Sequence, residues 1–257
     1  NGTLTISGTG EMYQYGWEYE KVTPWRHLNS QIKAVDIKNG VTNIGSYAFY
    51  NCENLSDVTI SDSVTSIDSR VFMYCDSLTS ILIPDSVTNL GSGVFERCAL
   101  TGINIPDSVT SVGTGLFYAC ENLKTVSLGN NMPCISYAMF RSCSNLVSLR
   151  IPESVTSIDD YAFYFCYSLT GIMIPDRVTS IGRGAFGYCF GLTSITLPAS
   201  VTSLGPNFFE CSSNLKEIQV DSRNTAFCSV DGVVFNKNKT MLVQFPLGSS
   251  GTYAIPD

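Results

Sequence analysis

The chain has 257 residues, of which 44% are hydrophobic and 14% are charged, enough to bury a core and too little charge for intrinsic disorder. A formal net charge of −7 argues against a nucleic-acid-binding surface, which needs a basic stripe facing the phosphates. No run of about 18 apolar residues is present, so the sequence predicts no membrane insertion.

Residues 1–31 precede the regular part of the sequence and are predicted to form an N-terminal cap. Leu4-Thr5-Ile6 can form a strand, and the only tryptophans, Trp17 and Trp25, offer a large apolar area. Such a cap covers the first unit of a repeat array, whose core face has no neighbour on that side. The chain begins at Asn1-Gly2-Thr3 without an initiator methionine or a leader, so we expect a mature fragment.

A 23-residue block recurs eight times between Val41 and Arg223, and one further strand, with Ile32, Val35 and Ile37, comes before it. The core of the block reads V-T-x-I-G-x-x-x-F-x-x-C-x-x-L-x-x-I-x-I-P-D-x. Its phenylalanines are Phe49, Phe72, Phe95, Phe117, Phe140, Phe163, Phe186 and Phe209, and the steps between them are 23 residues or, once, 22. A fixed period of this size predicts a solenoid, here over residues 32–223.

The L-x-x-I-x-I-P part of each unit predicts a strand with one buried face, because apolar and polar residues alternate, as in Leu55, Val58 and Ile60. All these strands run in the same direction, so neighbouring units must pair in parallel. The closing proline lacks an amide donor and marks the strand end. It is present at Pro84, Pro106, Pro152, Pro175 and Pro198.

The V-T-x-I-G part that follows is predicted to bend sharply at its glycine. This glycine occurs at Gly45, Gly91, Gly113, Gly182 and Gly205. The A-F-x-x-C part then has room for one helical turn with phenylalanine and cysteine on one side. The predicted fold class is therefore an α/β repeat solenoid, mostly β, with one parallel strand and one short helical turn per 23-residue unit.

Eight of the ten cysteines occupy one slot of the repeat, three residues after the phenylalanine, or two in the case of Cys211. These are Cys52, Cys75, Cys98, Cys120, Cys143, Cys166, Cys189 and Cys211. A residue type fixed by the period favours packing as a buried free thiol, although the strand spacing also permits a disulfide. Cys134 and Cys228 lie outside this slot and are predicted to be more reactive.

Residues 224–257 break the period. Asp231-Gly232 predicts a tight turn between strands at 227–230 and 233–235, and a second turn leads into a strand at 241–245. Residues 253–257 match the end of a repeat strand. This part is therefore predicted to hold an inserted β-hairpin and the first strand of a further repeat, and we expect the natural protein to continue beyond Asp257.

The unit V-T-S-I-G-x-x-A-F-x-x-C-x-x-L-T-S-I-x-I-P-D-S resembles the BspA-like leucine-rich-repeat family of bacterial and protozoan surface proteins. Residues 227–236, and the leading residues 2–8 with Pro24-Trp25, resemble further elements of these proteins. The resemblance implies a right-handed leucine-rich-repeat superhelix, an upstream export signal, an extracellular or cell-surface location, and a role in adhesion or recognition. The repeat identifies a scaffold and leaves the ligand open.

Two units depart from the pattern. Met132-Pro133-Cys134-Ile135-Ser136 replaces V-T-x-I-G in the fifth unit, and the third unit loses one residue between Phe95 and Leu100. Both departures are expected to bend or bulge the stack locally.

Catalysis receives little support from the sequence. His27 is the only histidine, which excludes His-rich zinc sites and leaves a Ser-His-Asp triad dependent on one residue of the cap. The aspartates that follow the strands, such as Asp62 and Asp85, recur with the period and favour turn chemistry, while Asp159 and Asp160 are interpreted as solvated surface. We predict no enzyme, catalytic residue, cofactor or metal; a carbohydrate-active enzyme is the weakest alternative.

One group of candidate binding residues lies on the strands, at the outward position between the two inward apolar residues. This outward row comprises Thr59, Leu82, Asn104, Ser127, Arg150, Met173, Thr196 and Gln219. It is predicted to line the concave sheet face, and its mostly small, neutral side chains suit an extended partner bound by many weak contacts. Leu82, Arg150 and Met173 are the exceptions and therefore the candidate contact residues, although chance variation would also produce such exceptions.

A second group of candidates lies near the predicted helical turn. The aromatic edge comprises Tyr164, Phe165, Tyr167, Tyr188 and Phe190. One repeat separates Phe165 from Tyr188 and Tyr167 from Phe190, so we expect each pair to stack. An exposed cluster would be a contact patch, whereas packing between neighbouring units is the alternative.

Two functions remain open from the sequence. The first is an exported or cell-surface recognition or adhesion module whose partner is a host or cell-surface protein or a glycan. The second is a structural spacer within a larger surface protein. Neither function involves nucleic acid.

Overall fold

The computed structural model describes residues 2–16, 21–249 and 253, and over these residues the chain is a mostly-β parallel solenoid of about eight turns. The predicted fold class is thereby confirmed. Trp17 of the predicted cap, and residues 254–257 of the predicted final strand, lie outside the described residues. We call one turn of the solenoid a coil.

The predicted strands form a first row along the stack, in which neighbours pair in parallel. Its members are β1 (Thr3–Ile6), β3 (Ala34–Ile37), β5 (Asp57–Ile60), β8 (Gly102–Asn104), β10 (Thr125–Ser127), β11 (Ser148–Arg150), β13 (Gly171–Met173), β15 (Ser194–Leu197) and β17 (Glu217–Val220). The row is divided into β1-β3-β5, β8-β10, β11-β13 and β15-β17. The inward residues align from coil to coil, as in Val35 opposite Val58.

A second row of strands, which the sequence did not predict, runs beside the first. Its members are β2 (Gly10–Glu11), β4 (Val41–Ile44), β6 (Ser66–Ile67), β7 (Asn89–Leu90), β9 (Ser111–Val112), β12 (Ser157–Ile158), β14 (Ser180–Ile181) and β16 (Ser203–Leu204). All except β2 come from V-T-x-I-G, in which the threonine amide donates to the threonine carbonyl of the preceding coil. The N···O distance is 2.8 Å for Thr65 to Thr42 and 2.9 Å for Thr179 to Thr156. Most coils thus hold two short strands.

The glycine after the second strand serves close approach between coils, which corrects the predicted bend. None of the five glycines in this slot has a positive φ. A Cβ atom on Gly182 would lie 2.4 Å from the backbone nitrogen of Asp160, and one on Gly91 would lie 2.5 Å from that of Ser69. At these two glycines, a larger residue would therefore push neighbouring coils apart.

The A-F-x-x-C part forms successive hydrogen-bonded turns in place of the predicted helical turn. In the sixth unit, Tyr161 and Phe165 have φ values of 58° and 65°, in the left-handed region that ends an α-helix. These residues turn the amides towards the next coil. The amides of Tyr161, Phe163 and Phe165 donate to carbonyls of the next coil over 2.8, 2.8 and 3.0 Å. The bonds between coils replace those within a helix.

The phenylalanines of the repeat form a continuous stack at the centre of the core. All eight are buried, their neighbouring ring centroids lie 5.3–5.9 Å apart, and their planes differ by 4–25°. Trp25 extends the stack at the N-terminal end, where its ring centroid lies 6.1 Å from that of Phe49. Its indole nitrogen donates a hydrogen bond to the Ala48 carbonyl. Trp25 directly precedes a short 3-10 helix, Arg26–Gln31. Trp25 therefore covers the first ring of the stack.

The cysteine slot supplies hydrogen bonds as well as packing. Cys75, Cys98, Cys120, Cys143, Cys166 and Cys189 are buried free thiols, and each Sγ donates to the carbonyl of the phenylalanine one coil earlier over 2.9–3.3 Å. In the eighth unit Ser212 fills this slot and its hydroxyl donates to the Phe186 carbonyl over 2.8 Å. The assignment of Cys211 to the slot was therefore wrong: Cys211 is exposed, because the slot lies three residues after Phe209. Cys134 and Cys228 are half-buried.

The irregular fifth unit interrupts the second row between β9 and β12, where only an isolated bridge joins Ile135 to Ile158. The cause is Pro133, which stands where other units have threonine. Proline has no amide hydrogen, so Pro133 cannot donate to the preceding coil. Its carbonyl still accepts from the Thr156 amide over 3.1 Å. The threonine column, by which we mean the backbone hydrogen bonds between the threonines of successive coils, resumes there.

Residues 227–244 form a three-stranded antiparallel sheet around the turn that Asp231-Gly232 predicts. Its strands are β18 (Phe227–Val230), β19 (Val233–Asn236) and β20 (Leu242–Gln244). The sheet rests against β17, where the Ile218 amide donates to the Gly232 carbonyl over 3.0 Å.

We expect Gly182→Ala to lower the free energy of unfolding by about 1–3 kcal/mol, because the new methyl group meets backbone atoms that cannot move aside. Urea unfolding provides the measurement. Gly171→Ala is the matched control, since a Cβ atom there meets nothing within 4 Å. Equal stability of the two variants would contradict the role assigned to close approach.

We expect stability to be constant up to about pH 8.5 and to fall as the pH rises from about 9 towards 12. Burial raises the pKa of the Cys52 and Cys120 thiols to about 12, so the folded chain keeps protons that the unfolded chain releases near 9. Each buried thiol contributes a slope of up to about 1.4 kcal/mol per pH unit in that window. Thermal unfolding between pH 7 and 11 measures it.

Cys120→Ser is the control for this prediction, because serine occupies the same slot at Ser212 and does not titrate in this range. The variant should show a shallower loss of stability above pH 9. An unchanged slope would mean that other groups cause the alkaline transition.

Candidate functional site

All eight side chains of the outward row are exposed. Two of the three exceptional residues lie side by side, because β11 and β13 pair in a register that places Arg150 opposite Met173. The Met173 side chain is 80% exposed. Leu82 is 77% exposed but lies three coils away, on a segment that forms no strand in the described structure. The structure therefore brings Arg150 and Met173 together and leaves Leu82 apart.

The guanidinium of Arg150 faces solvent. The two ion pairs among the described residues are Lys38–Asp36 and Arg223–Asp221, and neither involves Arg150. An arginine with five donors and no ionic partner is suited to binding a hydrogen-bond acceptor.

Two grooves flank the Arg150–Met173 pair. The first crosses the coils of β8, β10 and β11, has a volume of about 710 Å³ and is lined by Asn104, Asp107, Ser127, Asn130 and Arg150 among others. The groove at the β13–β15 interruption has a volume of about 520 Å³ and contains Met173, Ser194 and Thr196. The pair thus lies between two depressions, of which the first is mainly polar.

Hydrogen bonds fix the carboxylates at the edges of these grooves. In the first groove the amide of Asn130 holds the pKa of Asp107 below its ordinary value. In the second, the guanidinium of Arg223 lowers the pKa of Asp221 to about 2. Both carboxylates are therefore charged at neutral pH and act as hydrogen-bond acceptors.

The aromatic edge is divided between packing and exposure. The ring centroids of Phe165 and Tyr188 lie 4.7 Å apart. Tyr167 stacks on Phe190, with ring centroids 5.4 Å apart and ring planes that differ by 5°. Tyr164, Phe165 and Tyr188 are half-buried, and Tyr167 and Phe190 are 44% and 37% exposed. The first three therefore join neighbouring coils, while the Tyr167–Phe190 pair offers its outer surface to solvent.

One cation beside this edge, Arg141, was not identified from the sequence. The Arg141 guanidinium lies 5.8, 5.4 and 5.2 Å from the ring centroids of Tyr118, Tyr161 and Tyr164. Such cation–π contacts stabilise adjacent coils. The sequence does hold a sign of these contacts: the residue directly after the repeat phenylalanine is tyrosine or arginine in four units.

The residues weighed for catalysis are dispersed. His27 is exposed, and Asp159 and Asp160 accept hydrogen bonds from Ser157 and from the Arg183 amide. Within residues 2–16, 21–249 and 253, no three His, Cys, Asp or Glu side chains converge on a possible metal site. In the same part of the chain, no helix has the length and apolarity needed to cross a bilayer.

The repeat matches a known protein family. The family model described as BspA type leucine rich repeat region matches residues 26–124 and 110–241, with six copies. A leucine-rich repeat protein from Bacteroides ovatus has a similar structure, with a TM-score of 0.70 and 25% identity over 86% of this chain and 63% of that one. One from Eubacterium ventriosum has a TM-score of 0.57 and 27% identity over 85% of this chain and 68% of that one.

This chain covers less than two thirds of the Bacteroides ovatus protein. No curated protein matches it significantly. The family match nevertheless spans most of the described residues, and the structures share the stacked parallel coils. The chain belongs to the BspA-type leucine-rich-repeat family.

Proposed function

We propose that this chain is an exported or cell-surface recognition module that binds a protein or glycan partner through the first row of the solenoid. Residues 1–31 serve as its cap, residues 32–223 as the repeat surface, and residues 224–257 as an insertion followed by a further strand. Family membership supports a surface repeat module and carries no information on the ligand.

The observation that carries the proposal is the Arg150–Met173 pair. Apart from Leu82, the rest of the outward row presents neutral polar side chains, and a solenoid needs neither a free guanidinium nor an 80% exposed methionine for its own packing. Exposed apolar and arginine side chains together are typical of contact surfaces. A recognition role explains the pair and the two grooves beside it, whereas a spacer requires neither.

Binding to an array of matrix proteins and surface glycans tests this proposal. Arg150→Ala combined with Met173→Ala should weaken the binding of any partner found by tenfold or more, because an arginine and an apolar anchor are both lost. Both side chains are exposed, so the melting temperature should stay unchanged. Thr59→Ala, at the same outward position four coils from Arg150, is the control and should bind as the parent does.

Binding that survives the double substitution would move the site elsewhere, first to the exposed Tyr167–Phe190 pair. A complete lack of binding across the array would favour the structural spacer.

A further inference from the structure

The fourth unit departs from the repeat at its end, close to Arg150 of the fifth unit. Where neighbouring units have Pro-Asp-Ser or Pro-Glu-Ser after the first-row strand, this unit has Gly129-Asn130-Asn131. Gly129 packs so closely that a Cβ atom would lie 2.3 Å from the Pro106 carbonyl oxygen. The glycine thus brings the two asparagines against the preceding coil.

Both asparagines then bind Asp107. The Asn130 backbone amide donates to Oδ1 of Asp107 over 2.8 Å, and its Nδ2 donates to Oδ2 over 3.3 Å. The Asn131 Nδ2 donates to the Asp107 carbonyl over 2.8 Å. This cluster forms one wall of the 710 Å³ groove and is fixed before any ligand arrives, which lowers the entropic cost of binding.

The groove offers donors and acceptors together. Arg150 donates only, Asp85 and Asp107 accept only, and Asn104 and Ser127 do both. Pro106 and Pro152 add small apolar surfaces. A ligand that matches this lining must present several hydrogen-bonding groups of both kinds, along with some apolar surface.

The charges around the groove disfavour anionic ligands. Two carboxylates and one guanidinium line it, and Glu153 and Asp176 continue the acidic column beyond. An anionic polymer would be repelled by these carboxylates and by the net charge of −7. A neutral ligand meets no such repulsion and can form hydrogen bonds both with Arg150 and with the carboxylates.

From these observations we infer that the groove across the β8, β10 and β11 coils binds a neutral, polyhydroxylated oligosaccharide, with Arg150, Asp107 and Asn104 as hydrogen-bonding residues. Vicinal hydroxyls provide the paired donors and acceptors that this lining requires. The inference rests on the proposed function and specifies its partner.

Calorimetric titration of the chain with neutral and acidic hexasaccharides tests the inference. The neutral probes are the glucose oligomers with α1,4 and β1,4 linkages and the β1,4-linked N-acetylglucosamine oligomer; the acidic probe is the α1,4-linked galacturonic acid oligomer. At least one neutral probe should bind, and the acidic one should bind at least tenfold more weakly.

Two substitutions should each weaken neutral-probe binding by about tenfold or more. Arg150→Ala removes the free donors. Asn130→Asp restores the residue type of the periodic slot, removes the amide donor to Asp107 and places a second carboxylate beside it. Thr59→Ala should bind as the parent does, and circular dichroism checks that every variant is folded.

Tighter binding of the acidic probe, or neutral binding unaffected by both substitutions, would overturn the inference. If a protein partner binds through Arg150 and Met173 while no neutral probe binds, the glycan inference fails and the recognition function stands. If neither probes nor proteins bind, both fail.

Discussion

The hydrogen bonds between the backbones of successive coils are the interaction on which the rest of the structure depends. They run in three columns: through the first row of strands, through the threonines of the second row, and through the left-handed turns around each phenylalanine. These bonds hold equivalent residues of neighbouring coils in register. The phenylalanine stack and the thiol-to-carbonyl bonds follow from that register, because each side chain meets its counterpart one coil away.

This dependence separates structural residues from candidate functional ones. A residue whose contacts repeat in every coil is accounted for by the stack, as the buried cysteines and Gly182 are. Arg150 and Met173 differ in chemistry from most of the outward row, and the hydrogen bonds between Asn130 and Asp107 occur at one place along the array. They lie together where the first row is interrupted, so the proposed function and its proposed ligand concern one region.

The 23-residue period predicted correctly which residues of the strands face inward, and that the phenylalanines and most of the cysteines are buried. It could not predict which backbone atoms bond between coils. A two-residue strand such as Ser157–Ile158 is too short to show alternation, and the left-handed φ of Tyr161 leaves no mark on hydrophobicity. The error at Cys211 has a simple cause: residue identity was followed instead of position, and serine serves equally well in the slot.

Among the site residues, exposure of Arg150 and Met173 followed from the outward position, but the wall formed by Asn130 did not. That wall depends on the close approach of Gly129 to another coil, a tertiary contact that no local pattern encodes. Arg141 was missed for the same reason, since its three tyrosines come from two different units.

The most direct test of the central role of these backbone bonds is the stability of Pro133→Thr, measured by urea unfolding. The substitution supplies the one amide that the threonine column lacks, at a position where the column resumes directly afterwards. The free energy of unfolding should rise by about 1 kcal/mol, the net value of one such bond. Unchanged or reduced stability would contradict the account, because the added hydrogen bond would then contribute nothing to the free energy of unfolding.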